Sequence, residues 1–534
     1  MQEDAARFAN FTNTFINAFT NAFTNACISA FINAFNNAFT NEFNEFIHIF
    51  RQDAKMADRE RLSSVDAAWL HMDRPTNLMM ICGVMSFSSR LELQQLRQVI
   101  RYRLLCFHRF RQRVVECGLT AYWEFDPHFD LDWHVRQSAL PGAAGKVQLE
   151  ELVGDLISTP LDPSKPMWQF HLVEVAGGGS ALVLRIHHCY GDGFALMHVV
   201  MSMTDLDPDK PQRQVEDVLP HEAHRSAWER MLGPVTGLLG DVGRLAGEAV
   251  GVGRDWLAHP SHAVEFARAG VDLADAAAII AGMTPDSHTR FKGKLGVMKR
   301  VAWAEPLSLF EVKAVSEALA CSINDISLAC LCGALRAYLL EQGDQVEQLE
   351  LRALVPVNLR SPGAITELGN QFGLVFMGLP IHIADPLERV WTVRARMAEL
   401  KNSQQALVSL GILGGMGVMP SAIRERVLEA LAANASAVMT NMPGSRQPRY
   451  LAGKRITGQV FWVPQSGGIG MGLSILSYAG EINFGVVADV KRVPDPHVIV
   501  KLFNQQFEEL LLTVMWQYCQ RDMPWHATAS RQAS

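Results

Sequence analysis

The chain has 534 residues, more than one hydrophobic core usually serves, so two domains and an appendage are expected. Hydrophobic residues make up 49% and charged residues 19%, which is a globular composition that suits an apolar ligand or a membrane contact. The formal net charge of -7 supplies no basic surface and excludes nucleic acid as a main partner. The nine cysteines are scattered without a CxxC pair, which predicts a reducing cytoplasm with neither disulfides nor zinc.

A low-complexity repeat opens the chain, with phenylalanine at about every fourth position between Asn, Ala and Thr. A four-residue period drifts around a helix of 3.6 residues per turn, so these phenylalanines form no fixed apolar stripe. Residues 1–55 are open to three interpretations: a translated DNA repeat upstream of a start at Met56, a disordered tail, or a membrane-adhering arm. The acidic start, with Glu3 and Asp4, does not resemble an export signal, which favours a cytoplasmic protein.

Residues 56–205 alternate strand-like and helical runs and are predicted to form an α/β domain. Strands are predicted at 79–87, 170–175 and 181–186. The three glycines at 177–179 are predicted to form the hairpin turn between the last two strands, and not a nucleotide-binding loop.

Residues 206–290 are predicted to form a helical linker, and 291–520 a second α/β domain, followed by a tail at 521–534. Apolar positions between 235 and 256 keep a helical spacing, and their mixed charged face favours packing on the protein's own surface over a membrane. The uncharged run at 402–423 contains polar residues, glycines and a proline, so it is predicted to be buried and not membrane-spanning.

The chemistry-bearing segment is His187-His188-Cys189-Tyr190-Gly191-Asp192-Gly193, at a predicted corner between a strand and a helix. Successive side chains of a strand point to opposite faces, so only one histidine is expected to act while the other supports it. The carboxylate of Asp192 could fold back to hold the corner or orient an imidazole. An adjacent histidine pair alone is more often a hydrogen-bonded core pair than a catalytic one.

The HHxxxDG spacing resembles the motif of the chloramphenicol-acetyltransferase-like, CoA-dependent acyltransferases. Over about residues 60 to 520 the chain also resembles the bacterial bifunctional wax ester synthase/diacylglycerol acyltransferase family. The segments that carry this resemblance keep the family's order along the chain. They are Leu62 to Leu70, Pro160-Leu161-Asp162, Pro166-Met167-Trp168, Ser322-Ile323-Asn324-Asp325, Pro356-Val357-Asn358, Gly369-Asn370-Gln371-Phe372-Gly373, Thr440-Asn441-Met442-Pro443-Gly444 and Leu476-Ser477-Tyr478.

This resemblance implies two chloramphenicol-acetyltransferase-like domains with mixed sheets, joined by a helical linker, with an active-site tunnel at their junction. It implies that His188 is the general base that deprotonates the accepting hydroxyl. The other residues that it implicates are supporting or tunnel residues. The supporting ones are His187, Asp192, Gly193, Asn324 and Asp325, and those of the tunnel or domain junction are Asn441, Pro443 and Gly444.

Several of these residues have a simpler structural interpretation. Ser322 and Asp325 have the spacing of a helix-capping box, and the segment around Pro443 could be an ordinary Pro-Gly turn. The chain departs from the family pattern at Met442 and Ser445, and also at Cys189 and Gly191, where the departure puts the pocket width in doubt. Cys189 lacks a neighbour that would activate it as a nucleophile.

The activity implied is transfer of a long-chain acyl group from acyl-CoA to a fatty alcohol or a diacylglycerol. Acyl-CoA is then a co-substrate, and neither a cofactor nor a metal is expected. The implied location is cytoplasmic, peripheral to the inner membrane or lipid bodies, and a homodimer is left open. Two alternatives are kept: the same fold acylating a small-molecule or carrier-bound acceptor, and a non-enzymatic lipid-binding protein.

Overall fold

The computed structural model describes residues 59–117, 120–209, 282–360, 368–401, 403–417 and 421–521, without the side chains from 518 onward. The predictions for residues 1–55, for the segment 235–256 and for the tail beyond 521 lie outside the described residues. Of the predicted linker, residues 206–290, the structure describes only 206–209 and 282–290.

A six-stranded mixed sheet forms the centre of the first domain. Helices and a small three-stranded sheet accompany it. In spatial order the six strands are β13 (Tyr450–Leu451), β14 (Lys454–Trp462), β2 (Met80–Phe87), β7 (Gly179–His187), β6 (Trp168–Val175) and β5 (Val135–Ser138). The small sheet consists of β1 (Glu60–Arg61), β4 (Thr120–Phe125) and β3 (Gln112–Cys117), and the helices are α1 (Ser64–His71), α2 (Leu93–Val99), α3 (Leu131–His134), α4 (Lys146–Ile157) and α5 (Gly193–Ser202).

Strand β7 is the central strand that leads to the histidine pair. It pairs antiparallel with β6 from Val175 opposite Gly179 to Trp168 opposite Ile186. Between them, Gly177 and Gly178 adopt φ of 82° and 80°, a conformation that favours glycine. The predicted glycine hairpin is therefore confirmed.

Strands β13 and β14 come from the second half of the chain but complete the sheet of the first domain. Strand β14 pairs antiparallel with β2, with Trp462 opposite Cys82 and Val460 opposite Val84. The residue ranges predicted for the two domains do not account for this crossover, because strand pairing between distant segments leaves no local signal in the sequence.

The second domain is built on a seven-stranded mixed sheet with helices packed against it. Its main path is β11 (Phe372–Leu379), β10 (Leu351–Asn358), β12 (Ala437–Pro443), β15 (Met471–Tyr478), β16 (Glu481–Asp489) and β8 (Lys299–Trp303), and β9 (Leu307–Ser308) pairs with β16. The helices are α6 (Leu309–Ala318), α7 (Ile323–Glu341), α8 (Pro386–Lys401), α9 (Gln405–Met416), α10 (Ser421–Ala433) and α11 (Pro496–Arg521). Two mixed-sheet domains confirm the predicted α/β class.

Side-chain alternation along β7 divides the core of the first domain. Leu182, Leu184 and Ile186 belong to the large apolar cluster on one face of the sheet. On the other face, Ala181 and Val183 belong to a separate cluster that also contains residues of β8 and β16. One face of the sheet therefore holds its own domain together, and the other packs against the second domain.

Helix α7 is the only described helix that is long and apolar enough to cross a membrane, and 72% of its apolar window is buried within the molecule. That burial is the behaviour of a core helix. Residues 405–416 of the uncharged run predicted to be buried form α9, whose Leu410, Leu413 and Met416 are buried.

Candidate active site

The histidine pair lies where β7 gives way to a tight turn. The strand ends at His187, a single 3-10 turn covers His188–Tyr190, and α5 begins at Gly193. The Tyr190 hydroxyl accepts a hydrogen bond from the Met167 backbone N–H at 3.0 Å and donates one to the Gln112 carbonyl at 2.8 Å. The turn is thereby fixed to two neighbouring segments of the first domain.

The two histidines have different surroundings, but strand alternation is not the cause, because the strand ends at His187 and His188 lies in the turn. The Nδ1 of His187 accepts a hydrogen bond from the backbone N–H of Cys189 at 3.2 Å, so this nitrogen carries no proton. Burial, followed by the nearby His188, lowers the pKa of His187 to about 3. His187 is therefore a neutral residue that supports the turn from within.

The ring of His188 lies against two aromatic side chains. It stacks on Trp69 with ring centroids 4.0 Å apart and 15° between the planes, and the Phe372 centroid lies 5.7 Å away. Burial lowers the pKa of His188 to about 4, although the carboxylate of Asp192 opposes this effect. The imidazole is therefore neutral at neutral pH, and its Nδ1 has no hydrogen-bond partner among the described residues.

Asp192 connects the turn to the second domain. One carboxylate oxygen accepts the backbone N–H of Ala195 at 2.9 Å and caps α5. The other oxygen accepts from the Arg360 guanidinium at 2.7 Å and from the backbone N–H of Gln371 at 2.9 Å. Both charged side chains are buried, so this is an ion pair between domains at the base of the turn. Asp192 holds the corner, and the hydrogen bonds of its carboxylate go to residues other than His188.

A second buried connection runs from α1 to the turn through Asn370. The Asn370 side-chain nitrogen donates to the Asp66 carboxylate at 2.7 Å and to the backbone carbonyl of His188 at 2.8 Å. The backbone N–H of Asn370 also donates to Asp66, at 3.1 Å. Burial raises the pKa of Asp66, an effect that Arg109 and these hydrogen bonds oppose. Asp66 and Trp69 lie three residues apart on one helix, so α1 reaches the turn through Asn370 and also through the ring of Trp69.

Two glycines allow the domains to approach each other at the motif. A Cβ atom at Gly191 would lie 3.2 Å from the Cβ of Ala195 and 3.3 Å from the backbone nitrogen of Gly369. Gly369 itself has a φ of 104°, which side chains rarely tolerate. The glycine at position 191, where the chain departs from the family pattern, is thus matched to close backbone packing.

The remaining predicted residues lie on α7 and β12 of the second domain. Asp325 and Ser322 cap α7 reciprocally, so the capping-box interpretation is confirmed. The Asn441 side chain donates to the Asn324 side chain at 3.0 Å, which links the two elements.

The segment around Pro443 is extended strand and not the Pro-Gly turn that was considered. Asn441 and Pro443 belong to β12, which runs parallel to β15, and the Gly444 backbone N–H donates to the Ser477 carbonyl at 2.8 Å. A Cβ atom at Gly193 would lie 3.1 Å from the Sδ of Met442. Strand β12 therefore reaches the first domain at the start of α5.

The turn also contains a cysteine, and its surroundings were compared with those of a cysteine nucleophile and of a metal site. Burial raises the pKa of the Cys189 thiol well above its usual range, so it is not a ready thiolate. Within the described ranges, no group of three or more His, Cys, Asp or Glu side chains is arranged to hold a metal ion.

The prediction of single site residues missed four that contact the turn or its anchor: Asp66, Trp69, Arg360 and Asn370. Three of them lie in segments that carried the family resemblance, but nothing in their local pattern distinguishes them from core or cap residues. Arg360 lies just beyond another such segment, Pro356-Val357-Asn358.

Two family models match the chain over most of its described length. Residues 62–327 match the "Wax ester synthase/diacylglycerol acyltransferase catalytic domain" and residues 368–511 match the "WS/DGAT C-terminal domain". A probable diacylglycerol O-acyltransferase of Mycobacterium tuberculosis is 30% identical over 378 residues, which cover 70% of this chain and 79% of that protein. Another from the same organism is 27% identical over 407 residues, covering 75% and 82%.

Solved structures show the same fold at low sequence identity. A wax ester synthase/diacylglycerol acyltransferase from Marinobacter aquaeolei aligns with a TM-score of 0.60 and 20% identity over 85% of this chain and 99% of that one. The first condensation domain of the CDA synthetase aligns with a TM-score of 0.54 and 14% identity, covering 85% and 96%.

Proposed function

The chain belongs to the wax ester synthase/diacylglycerol acyltransferase family, and we propose that it transfers a long-chain acyl group from acyl-CoA to the hydroxyl of a fatty alcohol or a diacylglycerol. It is an acyltransferase, and its products would be wax esters, triacylglycerols or both. The observation that carries the assignment to a site is the neutral, buried His188 at the junction of the two domains. The aromatic rings of Trp69 and Phe372 lie against this base.

In the proposed reaction, His188 removes the proton of the acceptor hydroxyl as its oxygen attacks the thioester carbonyl carbon. The carbon–sulfur bond of the tetrahedral intermediate then breaks. The CoA thiolate leaves and takes the proton from the His188 imidazolium. No further reactant is needed, and acyl-CoA is a co-substrate and not a bound cofactor. General bases of this kind contribute about 10² to 10⁴ to the rate.

Asp192 acts in this proposal through geometry. Its ion pair with Arg360 and its cap on α5 fix the position of the turn that carries His188. Asn370 supports the same turn from the His188 carbonyl. His187, Gly193, Asn324 and Asp325 remain supporting residues, and the tunnel attributed to the region of Asn441 remains a prediction.

Long-chain acceptors reside in membranes or lipid bodies, so we propose that the protein is cytoplasmic and associates peripherally with such a surface. The apolar composition of the chain supports this location. Membrane crossing is not part of the proposal, because the one described helix of sufficient length is mostly buried.

Product analysis tests the proposed activity. The purified full chain is incubated with labelled palmitoyl-CoA and with either hexadecanol or dioleoylglycerol, and the ester formed identifies the acceptor. Cys189→Ala is the matched control for His188→Ala, because it removes a buried neighbour in the same turn and should leave esterification within a few-fold of the parent. Absence of either ester from the parent protein would contradict the proposal.

A further inference from the structure

The reaction proposed for His188 creates a positive charge in a buried place. The side chain is 3% exposed, and its ring becomes an imidazolium when it takes the hydroxyl proton. A buried charge is costly unless neighbouring groups stabilise it. The reaction at this turn therefore needs a group that favours the charged form of the ring.

The titratable groups around His188 supply little of this stabilisation. The negative charge of Asp192 raises the pKa of His188, but this carboxylate is paired with Arg360. Burial, followed by the nearby His188, lowers the pKa of His187 to about 3, so His187 is neutral. The carboxylate of Asp66 accepts its hydrogen bonds from other residues, and burial raises its pKa. No carboxylate is thus paired with the ring among the described residues.

The indole of Trp69 is placed to stabilise the charge. It lies nearly parallel to the imidazole of His188, with ring centroids 4.0 Å apart and 15° between the planes. The face of an aromatic ring attracts a cation within about 6 Å of its centroid, and tryptophan does so most strongly. Phe372 is farther from the imidazole, at 5.7 Å, and its ring is tilted by 41°. The indole therefore presents the closer and the more electron-rich of the two aromatic faces.

Stacking leaves the edge of the imidazole free for chemistry. Both ring nitrogens lie on that edge, so a group against the face blocks neither of them. The Nδ1 of His188 has no hydrogen-bond partner among the described residues, so no such bond fixes the ring. The orientation of the imidazole therefore depends on the indole that covers its face.

Trp69 is itself held in place. Its side chain is buried, and the ring of Phe372 stacks on it with centroids 5.8 Å apart. Asp66, on the same helix, is joined through Asn370 to the backbone carbonyl of His188. Helix α1 and the turn are thus connected both by these hydrogen bonds and by the stacked rings.

A second stacked pair has almost the same geometry outside the catalytic turn. Trp168 and His134 lie with ring centroids 4.3 Å apart and 16° between the planes. There the Nδ1 of His134 is hydrogen-bonded to the carbonyl oxygen of Trp168 at 2.7 Å, so a hydrogen bond fixes the ring in addition to stacking. This pair is a control within the chain for stacking that has no part in the reaction.

We propose that the indole face of Trp69 stabilises the imidazolium form of His188 and holds its ring in the orientation that removes the hydroxyl proton. The inference rests on the proposed function, because the charge arises in that reaction. Trp69 is then a positioning residue, since it acts through His188 and not on the substrate itself. The electron density of the indole, and not only its shape, should set the rate.

Graded fluorination of the indole tests the proposal. Monofluoro-, difluoro-, trifluoro- and tetrafluorotryptophan replace Trp69 in the full chain by nonsense suppression, and kcat and KM are measured with labelled palmitoyl-CoA and the acceptor that gives an ester. Fluorine is little larger than hydrogen but withdraws electron density from the ring face, so each addition weakens the attraction for a cation. We expect kcat to fall stepwise, by about tenfold for the tetrafluoro variant, with KM within about twofold of the parent.

The matched control is the same series in place of Trp168, which stacks on His134 and should leave kcat unchanged. Thermal melting establishes that each variant is folded. If the tetrafluoro variant does not fold, the trend across the lighter members still decides, and Trp69→Phe should retain more activity than Trp69→Leu. A constant kcat across the Trp69 series, or an equal fall in both series, would overturn the proposal.

The protonation of His188 gives a readout that does not depend on turnover. NMR titration of histidine-labelled protein follows it, and the signal is identified by its absence from His188→Gln. The pKa should fall by about one unit across the Trp69 series, since one unit corresponds to a tenfold change in proton binding. If the parent forms no ester, this fall would uphold the effect of Trp69 on His188 and overturn only the acyltransferase function. Ester formation with a constant pKa and a constant kcat would overturn the inference alone.

Discussion

Asp192 accepts hydrogen bonds from three segments of the chain, whereas His188, four residues earlier, keeps an Nδ1 without a partner among the described residues. Both side chains are buried, so the difference does not come from solvent. The carboxylate of Asp192 is satisfied by these hydrogen bonds and fixes structure, whereas the Nδ1 of His188 keeps the capacity to bond a substrate, as does the Nε2 of His187. The two polar residues of one motif thus differ: Asp192 anchors the turn, and His188 is the residue proposed to perform the chemistry.

The largest expected effect is on catalysis and follows from replacing His188. His188→Ala should lower the esterification rate by about 10⁴, the upper end for loss of a general base, because the ring also positions the hydroxyl. The rate is measured with labelled palmitoyl-CoA, and a cooperative thermal transition establishes that the variant is folded. More than a tenth of the parent activity in the folded variant would remove His188 from the catalytic role.

Replacing Asp192, which anchors the turn, should lower stability and activity together. Asp192→Ala leaves Arg360 as a buried cation without this carboxylate, which typically costs about 3 to 5 kcal/mol of unfolding free energy. Denaturant unfolding measures this loss. Adding Arg360→Met removes the buried cation as well, so the double variant should lose less than the sum of the two single losses. Normal stability with only catalysis lost would contradict the structural role of Asp192.

The connection through Asn370 should be weaker than the ion pair because its hydrogen bonds involve one charged group and one neutral amide. Asn370→Leu leaves the buried Asp66 carboxylate with fewer donors, at an expected cost of about 1 to 3 kcal/mol. Combining it with Asp66→Leu in a double-mutant cycle should recover part of that cost. Strict additivity of the two losses would show that the pair is not coupled.

The sequence predicts the local part of this site well. Strand β7, its glycine hairpin and the cap of α7 each follow from residues within a few positions of one another. The partners of the motif do not, because Arg360 lies 168 residues after Asp192 and Asn370 lies 304 residues after Asp66. The crossover of β14 into the first sheet is hidden for the same reason. The family resemblance pointed to His188 but could not identify the side chains that surround it.

The smallest expected effect is on the pH dependence of the unfolding free energy, and it tests the burial of His188. Unfolded histidine binds a proton below about pH 6.5, whereas folded His188 does so only at about pH 4. Between these values the unfolded state binds more protons, so the unfolding free energy falls as the pH falls. At pH 5.5 one such histidine lowers the unfolding free energy by about 1 kcal/mol relative to neutral pH.

Denaturant unfolding at pH 7.5 and 5.5 measures this effect. On acidification, His188→Gln should lose less unfolding free energy than the parent by that amount, while the exposed control His128→Gln should match the parent. An equal acid loss in parent and His188→Gln would mean that the ring is hydrated in the folded protein and that its missing hydrogen bonds are made by water.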